Sequence, residues 1–248
     1  MGPPVARQHG NFMVLQEKVP HTFSQIFDLN SDTADVLAEL GYRYRVLSLS
    51  LPCSPPGNTP QLDLLGEQMR RRLPHVPLAT EAARGALYVS PVLFAALDRV
   101  NFQLLIGYPV SGRSVQGTVD YLLRGKNEVV VAGAREADLT RGFTQMAAQM
   151  IALSEQAAAP KVVSRHARRA GKARRAQRGE STRPPQRPLP LVYGAVTTGT
   201  VWQFGLLDNA QKGVVQDTEE YLLPRDLERL VGTFASLMTE EKVNLVAS

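Results

Sequence analysis

An α/β protein with a mixed sheet flanked by helices is the fold class this sequence predicts. Three observations carry it. Residues 101–134 read as three strands joined by tight turns. Residues 138–153 follow as a long amphipathic helix, and residues 191–207 return to a strand pair before a closing helix. Antiparallel hairpins beside one crossover helix require a mixed rather than an all-parallel sheet.

The elements follow in chain order. Residues 1–30 are mixed and poorly periodic, and are expected to form a poorly structured segment ahead of one domain over 31–248. Asp32 to Leu40 reads as a short helix, with Ser31 or Asp32 as N-cap and Gly41 as its stop. Tyr42 to Leu51 alternates and then runs apolar, which predicts a strand. A loop rich in Pro, Gly, Ser and Asn spans 52–60. Leu62, Leu65, Met69 and Leu73 give 61–73 helical spacing. Thr80 caps a second helix over 80–100, which Pro91 should kink or interrupt.

Strands are predicted at 101–108, 115–123 and 128–134, with turns at Gly112 and at Arg124-Gly125-Lys126-Asn127. Leu139, Phe143, Met146, Ala147, Met150 and Ile151 then recur at intervals of three and four on one helix face, behind Asp138 as cap. A hairpin joins 191–196 to 201–207 around Thr197-Thr198-Gly199-Thr200. An edge strand is expected at 214–223 and an amphipathic helix at 224–238.

Charge is segregated. The chain of 248 residues carries a net +5, with 44% apolar and 21% charged residues. Residues 158–190 hold ten Lys and Arg against Glu180 alone, with five prolines and no aromatic residue. That segment carries +9 and leaves the remainder at −4. The composition predicts a disordered basic insertion, and the basic character belongs to it rather than to the folded body. No apolar run reaches the roughly 18–20 residues of a membrane helix. Met1 to Gly10 lacks the apolar stretch of a secretory signal, and Ala6 stands where myristoylation wants Ser or Thr. Cys53 is the sole cysteine, which excludes an internal disulfide and a multi-cysteine zinc site. A reducing, cytoplasmic setting is the expectation.

Chemistry centres on Asp120, an acid inside the apolar run Gly117-Thr118-Val119-Asp120-Tyr121-Leu122-Leu123. Strand alternation would point it with Thr118 and Leu122, away from Val119 and Tyr121. A carboxylate there faces water, pairs with a base or binds a cation. His9, His21, His75 and His166 have no ligand spacing. The serines at 50, 54 and 90 lack a nucleophile elbow, and no phosphate-binding GxxxxGK[ST] loop occurs. Trp202 reads as a sheet-packing residue.

The runs LAELGYRYR (37–45), TEAARGALYVSPVL (80–93), GTVDYLL (117–123), NEVVVAGAREADLTRGFTQMAAQMIAL (127–153) and VYGAVTTGTVWQFG (192–205) together resemble the PD-(D/E)XK nuclease superfamily. The likeness is to domains akin to type I restriction-enzyme nucleases and covers about residues 32–238, the basic insertion excepted. It implies a restriction-endonuclease-like mixed sheet and a Mg²⁺ (or Mn²⁺) phosphodiesterase site. By that resemblance, Glu81 is the acid on the first long helix and Asp120 is a direct metal ligand. Dimers are common among such nucleases, which extends the expectation to a homodimer.

The sequence departs from the pattern at the next strand. Its Glu-x-Lys positions are Gly133 and Arg135. Gly133 offers no side-chain ligand, and Arg135 keeps a charge but cannot release a proton near neutrality. Glu136 is adjacent; only a bulge would turn it inward as a displaced ligand, with Arg135 as a phosphate clamp. The resemblance further implies nucleic-acid contacts for Gln145 and Gln149 on the following helix. Arg84 and Arg141 could reach phosphates from the same side. Arg168, Arg169, Lys172, Arg174 and Arg175 in the insertion suit salt-sensitive, sequence-independent phosphate binding. The reading is therefore a nucleic-acid-associated domain, DNA-directed by that likeness, whose ancestral Mg²⁺-dependent site is weakened or inactive. The alternatives are an active endonuclease with a rearranged site, or an interaction protein using the fold as a scaffold.

Overall fold

The computed structural model describes residues 20–53, 60–133, 138–158 and 189–239. It is mixed α/β: one eight-stranded mixed sheet with helices on both faces.

In chain order the elements are β1 (His21–Thr22), α1 (Phe23–Asp28), α2 (Thr33–Glu39), β2 (Arg43–Leu47), α3 (Pro60–Arg72), α4 (Glu81–Arg84), α5 (Ser90–Leu97), β3 (Gln103–Ser111), β4 (Val115–Arg124) and β5 (Glu128–Gly133). After these come α6 (Leu139–Ala158), β6 (Leu191–Thr197), β7 (Val201–Asp208), β8 (Gly213–Leu222) and α7 (Leu227–Thr239). The sheet order is β1-β4-β5-β6-β7-β8-β2, and β3 pairs with β4 on its other edge. Parallel pairs are β1–β4, β5–β6 and β2–β8; the rest are antiparallel. The crossover between parallel β5 and β6 carries α6, the helix expected there.

Two cores follow from this layering. On one face α1, α2 and α6 bury Phe23, Ile26, Val36, Leu37, Phe143, Met146 and Met150 against Val119, Leu122, Val130, Val192 and Val196. On the other, α3, α5 and α7 bury Leu62, Met69, Val92, Leu93, Leu230 and Phe234 against Leu123, Val129, Tyr193, Trp202 and Phe204. Helix α6 sits close on the sheet because Gly194 lacks a side chain: a Cβ there would lie 2.7 Å from the Met146 sulfur. Trp202 is fully buried, as its flanking pattern predicts.

Two expectations are corrected and a third takes a specific form. Residues 1–30 are not irregular throughout, since 21–28 form β1 and α1. Thr22 accepts from the Gln25 amide while the Gln25 side chain accepts from the Thr22 amide, a capping box that starts α1. Phe23 and Ile26 then join the core that α6 shares, and Phe27 is buried beneath Arg141. β8 is not an edge strand, because β2 pairs alongside it in parallel from Arg43↔Gly213 to Leu47↔Asp217. Local alternation carries no information about such a distant partner. The irregularity expected near Pro91 is present as a break in the regular α-helix. α4 runs into α5 through a π-helical turn at Gly85–Val89, where the Ser90 amide reaches back to the Gly85 carbonyl. Widening the turn just before a residue without an N–H lets the helix continue.

No helix among the described residues is long and apolar enough to cross a membrane. The basic insertion, save its first residue and its last two, and both Arg135 and Glu136 lie outside the described residues.

Candidate functional site

Parallel β5 and β6 end side by side, Gly133 opposite Thr197. In open α/β sheets ligands bind beyond the carboxyl ends of such strands. A cleft of about 500 Å³ opens there, roofed by α4 and the π turn. Glu81, Arg84, Ser90, Asp120, Tyr121 and Thr197 are among its lining residues.

Asp120 reaches this cleft by a route that alternation does not predict. On β4, Val119 and Leu122 share one core although they lie an odd number of residues apart, while Tyr121 and Leu123 pack with the other. The pleat changes parity between them. Asp120 therefore lines the cleft together with Tyr121 and Ile106, and not the face of Leu122. The assignment of Asp120 to one face with Leu122 is corrected accordingly.

The Asp120 carboxylate accepts a hydrogen bond from the Gly133 amide at 2.9 Å. Burial and the nearby Glu81 charge outweigh that bond and push its pKa up to about 6. Glu81 opens α4 behind Thr80, whose hydroxyl accepts from the Ala83 amide. Its carboxylate leans on Gly133: a Cβ at 133 would sit 3.1 Å from Glu81 Oε1. The space left by the missing strand side chain is thus occupied by an acid from the helix.

The remaining expected residues divide. Arg84 lines the cleft but is buried, and its guanidinium donates to the carbonyls of Leu78 at 2.8 Å and Ala79 at 3.3 Å. It braces the turn leading into α4. Arg141 sits at the start of α6, paired with Asp138 at 2.7 Å and stacked over Phe27. That pair and the Arg141 amide hold the Asp138 carboxyl below its usual range. Gln145 and Gln149 are buried in the face of α6 and are not among the cleft-lining residues. Both amide atoms of Gln149 and the carbonyl oxygen of Gln145 have no hydrogen-bond partner among the described residues.

The sequence offers Ser90 only as a serine without a nucleophile elbow and does not mark Tyr121 as a site residue, yet their hydroxyls meet at 3.0 Å in the cleft. Nor does it mark Thr197. Its hydroxyl donates to the Val201 carbonyl and accepts from the Gly199 amide, shaping the turn beneath Arg84. Each is an ordinary residue whose place emerges only when the strand ends and the helix meet.

The donor set is two carboxylates, and among the described residues no group of three or more His, Cys, Asp or Glu gathers. Two acids suit Mg²⁺, which commonly takes one or two protein carboxylates and completes its shell with water and substrate phosphate. Burial first and the Glu81 charge second disfavour the ionised Asp120, and a bound cation would offset both. By type the two carboxylates are compatible with such an ion, and they offer fewer protein oxygens than a site that also carried the strand carboxylate.

Retaining this acid costs stability. An aspartate of raised folded pKa binds more protons folded than unfolded between about pH 4 and 6, so stability falls as pH rises through that window. Above it the penalty is about 2–3 kcal/mol. Asp120→Asn is expected to raise the melting temperature at pH 7.5 and to change it little at pH 4. A variant less stable than the parent at pH 7.5 would show that the carboxylate contributes to the fold.

No protein family, curated protein or solved structure matches this chain.

Proposed function

We propose that this chain is a restriction-endonuclease-like, nucleic-acid-associated domain derived from a Mg²⁺-dependent phosphodiesterase and weakened in catalysis. The observation that supports the reading is the convergence of Glu81 and Asp120 on one cleft at the strand ends, against the expected Glu-x-Lys strand. A buried acid with a strongly perturbed pKa in a cleft, here Asp120, is a functional-site candidate.

Glu81 and Asp120 would hold the ion. Bound there, Mg²⁺ would neutralise charge on a scissile phosphate and acidify a water. The protein's own contributions are separable. The Gly133 amide orients the Asp120 carboxylate. The Thr80 cap fixes the start of α4 and so the position of Glu81. The Tyr121–Ser90 hydroxyl pair offers a polar group in the same cleft as the acids. Gly133 supplies no ligand, which accounts for weakened catalysis. The ten bases of the insertion would supply phosphate affinity to a body that is otherwise acidic.

The test is nicking of supercoiled plasmid by the full chain with Mg²⁺, Mn²⁺ or EDTA, beside Asp120→Ala and a DNA-binding assay at about 50 mM salt. The expected result is DNA binding in all cases, and slow nicking confined to the metal lanes of the parent. Nicking that survives EDTA or Asp120→Ala, or absence of DNA binding, overturns the reading.

A further inference from the structure

The parity change in β4 has a partner in β3. Leu105 and Tyr108, again an odd number apart, pack into the same core, as Val110 does, while Leu104 packs into the other. Pairing stays in register through the change, with Ile106↔Tyr121 on one side and Tyr108↔Val119 on the other. No residue is inserted, so this is not a bulge; the two strands change face together. At the centre stands Gly107, across from Asp120, with φ +64°. That is the left-handed region, which glycine enters freely and β-branched residues strongly resist.

We infer that Gly107 is a positioning residue for Asp120: its left-handed backbone reverses the pleat of β3 and β4 and so turns the Asp120 carboxylate into the cleft and onto the Gly133 amide. This rests on the reading of Asp120 as a site residue and adds how the fold aims it. With Gly107 extended and Leu122 kept in its core, alternation would return Asp120 to the apolar face of Leu122 and Val130, opposite Val119. The cleft would then retain Glu81 and Arg84 from α4, Ser90 from α5 and Tyr121 from β4 without their acidic partner. Space does not dictate the glycine. An added Cβ would meet only the Thr118 methyl, at 4.0 Å, so backbone conformation is what the position selects.

The test is amide hydrogen exchange by NMR on the full chain. Gly133 reports the Asp120 bond, and Val129, Val130 and Val131 report the sheet. Asp120→Ala first calibrates the loss and should speed Gly133 exchange about tenfold or more. Gly107→Val is expected to speed it comparably while the three valine amides stay protected. Gly107→Asn should behave as the parent, because asparagine tolerates the left-handed region. If Gly107→Val loses the valine protection as well, Gly107→Ala, with a milder backbone penalty, takes its place. Gly133 protection that persists in the folded Val or Ala variant, or that falls equally in Asn, overturns the inference. The readout needs neither nucleic acid nor metal, so its failure is distinct from a failed plasmid test.

Discussion

Deleting residues 161–187 is expected to lower affinity for duplex DNA by roughly 10²–10³-fold at low salt and to flatten its salt dependence. The segment carries all ten bases of the insertion, and without it the chain is acidic. If about half of those bases neutralise phosphates, log affinity should fall against log salt with a slope near −4 to −5. Raising salt from about 50 to 200 mM would then cost the parent some hundreds-fold. The deletion variant should show a slope close to zero. Fluorescence anisotropy with a labelled duplex measures both quantities. Equal affinity at low salt would remove the insertion from the binding surface. The insertion joins α6 to β6, so thermal melting must first show that the folded body persists.

Trp202→Ala is expected to destabilise the fold by about 4 kcal/mol, read as a lowered urea midpoint. Trp202 is fully buried and meets Phe234 edge to face at 5.7 Å. Phe204 contacts the same Phe234 at 5.3 Å and Tyr221 at 5.4 Å, so one truncation loosens a cluster binding β7, β8 and α7. The indole Nε1 also donates to the Gly199 carbonyl at 3.1 Å. Its loss frees the turn whose Gly199 packs against the Arg84 stem, on the cleft wall. Trp202→Phe, which keeps an aromatic ring but not the donor, should cost clearly less. Equal losses in the two variants would assign the effect to the hydrogen bond rather than to packing.

Much of the secondary structure was legible because its signals are local. The three-to-four spacing of Phe143, Met146 and Met150 marks α6, and tight turns delimit β3, β4 and β5. Asp120 and Glu81 were legible as candidate acids, one as a charge in an apolar strand and the other behind a capping threonine. Arg84 was legible as a cation near them but not as one committed to the carbonyls of Leu78 and Ala79. Gly107 carried a usable signal, since an isolated glycine within a strand pattern marks an irregular backbone. The sequence reading did not use it.

By itself the sequence determined where most helices and strands form, that the net positive charge comes from one insertion, and that its single cysteine allows no internal disulfide. These depend on composition and on periods of 2 or 3.6 residues, which neighbouring residues define among themselves. Only the tertiary structure decided that β2 covers β8, that Glu81 fills the space beside Gly133, and that Asp120 faces the cleft. Each is set by segments distant in sequence meeting across the sheet. The face of Asp120 depends further on a dihedral angle of Gly107 in the neighbouring strand, and a count of alternating residues along β4 contains no trace of it.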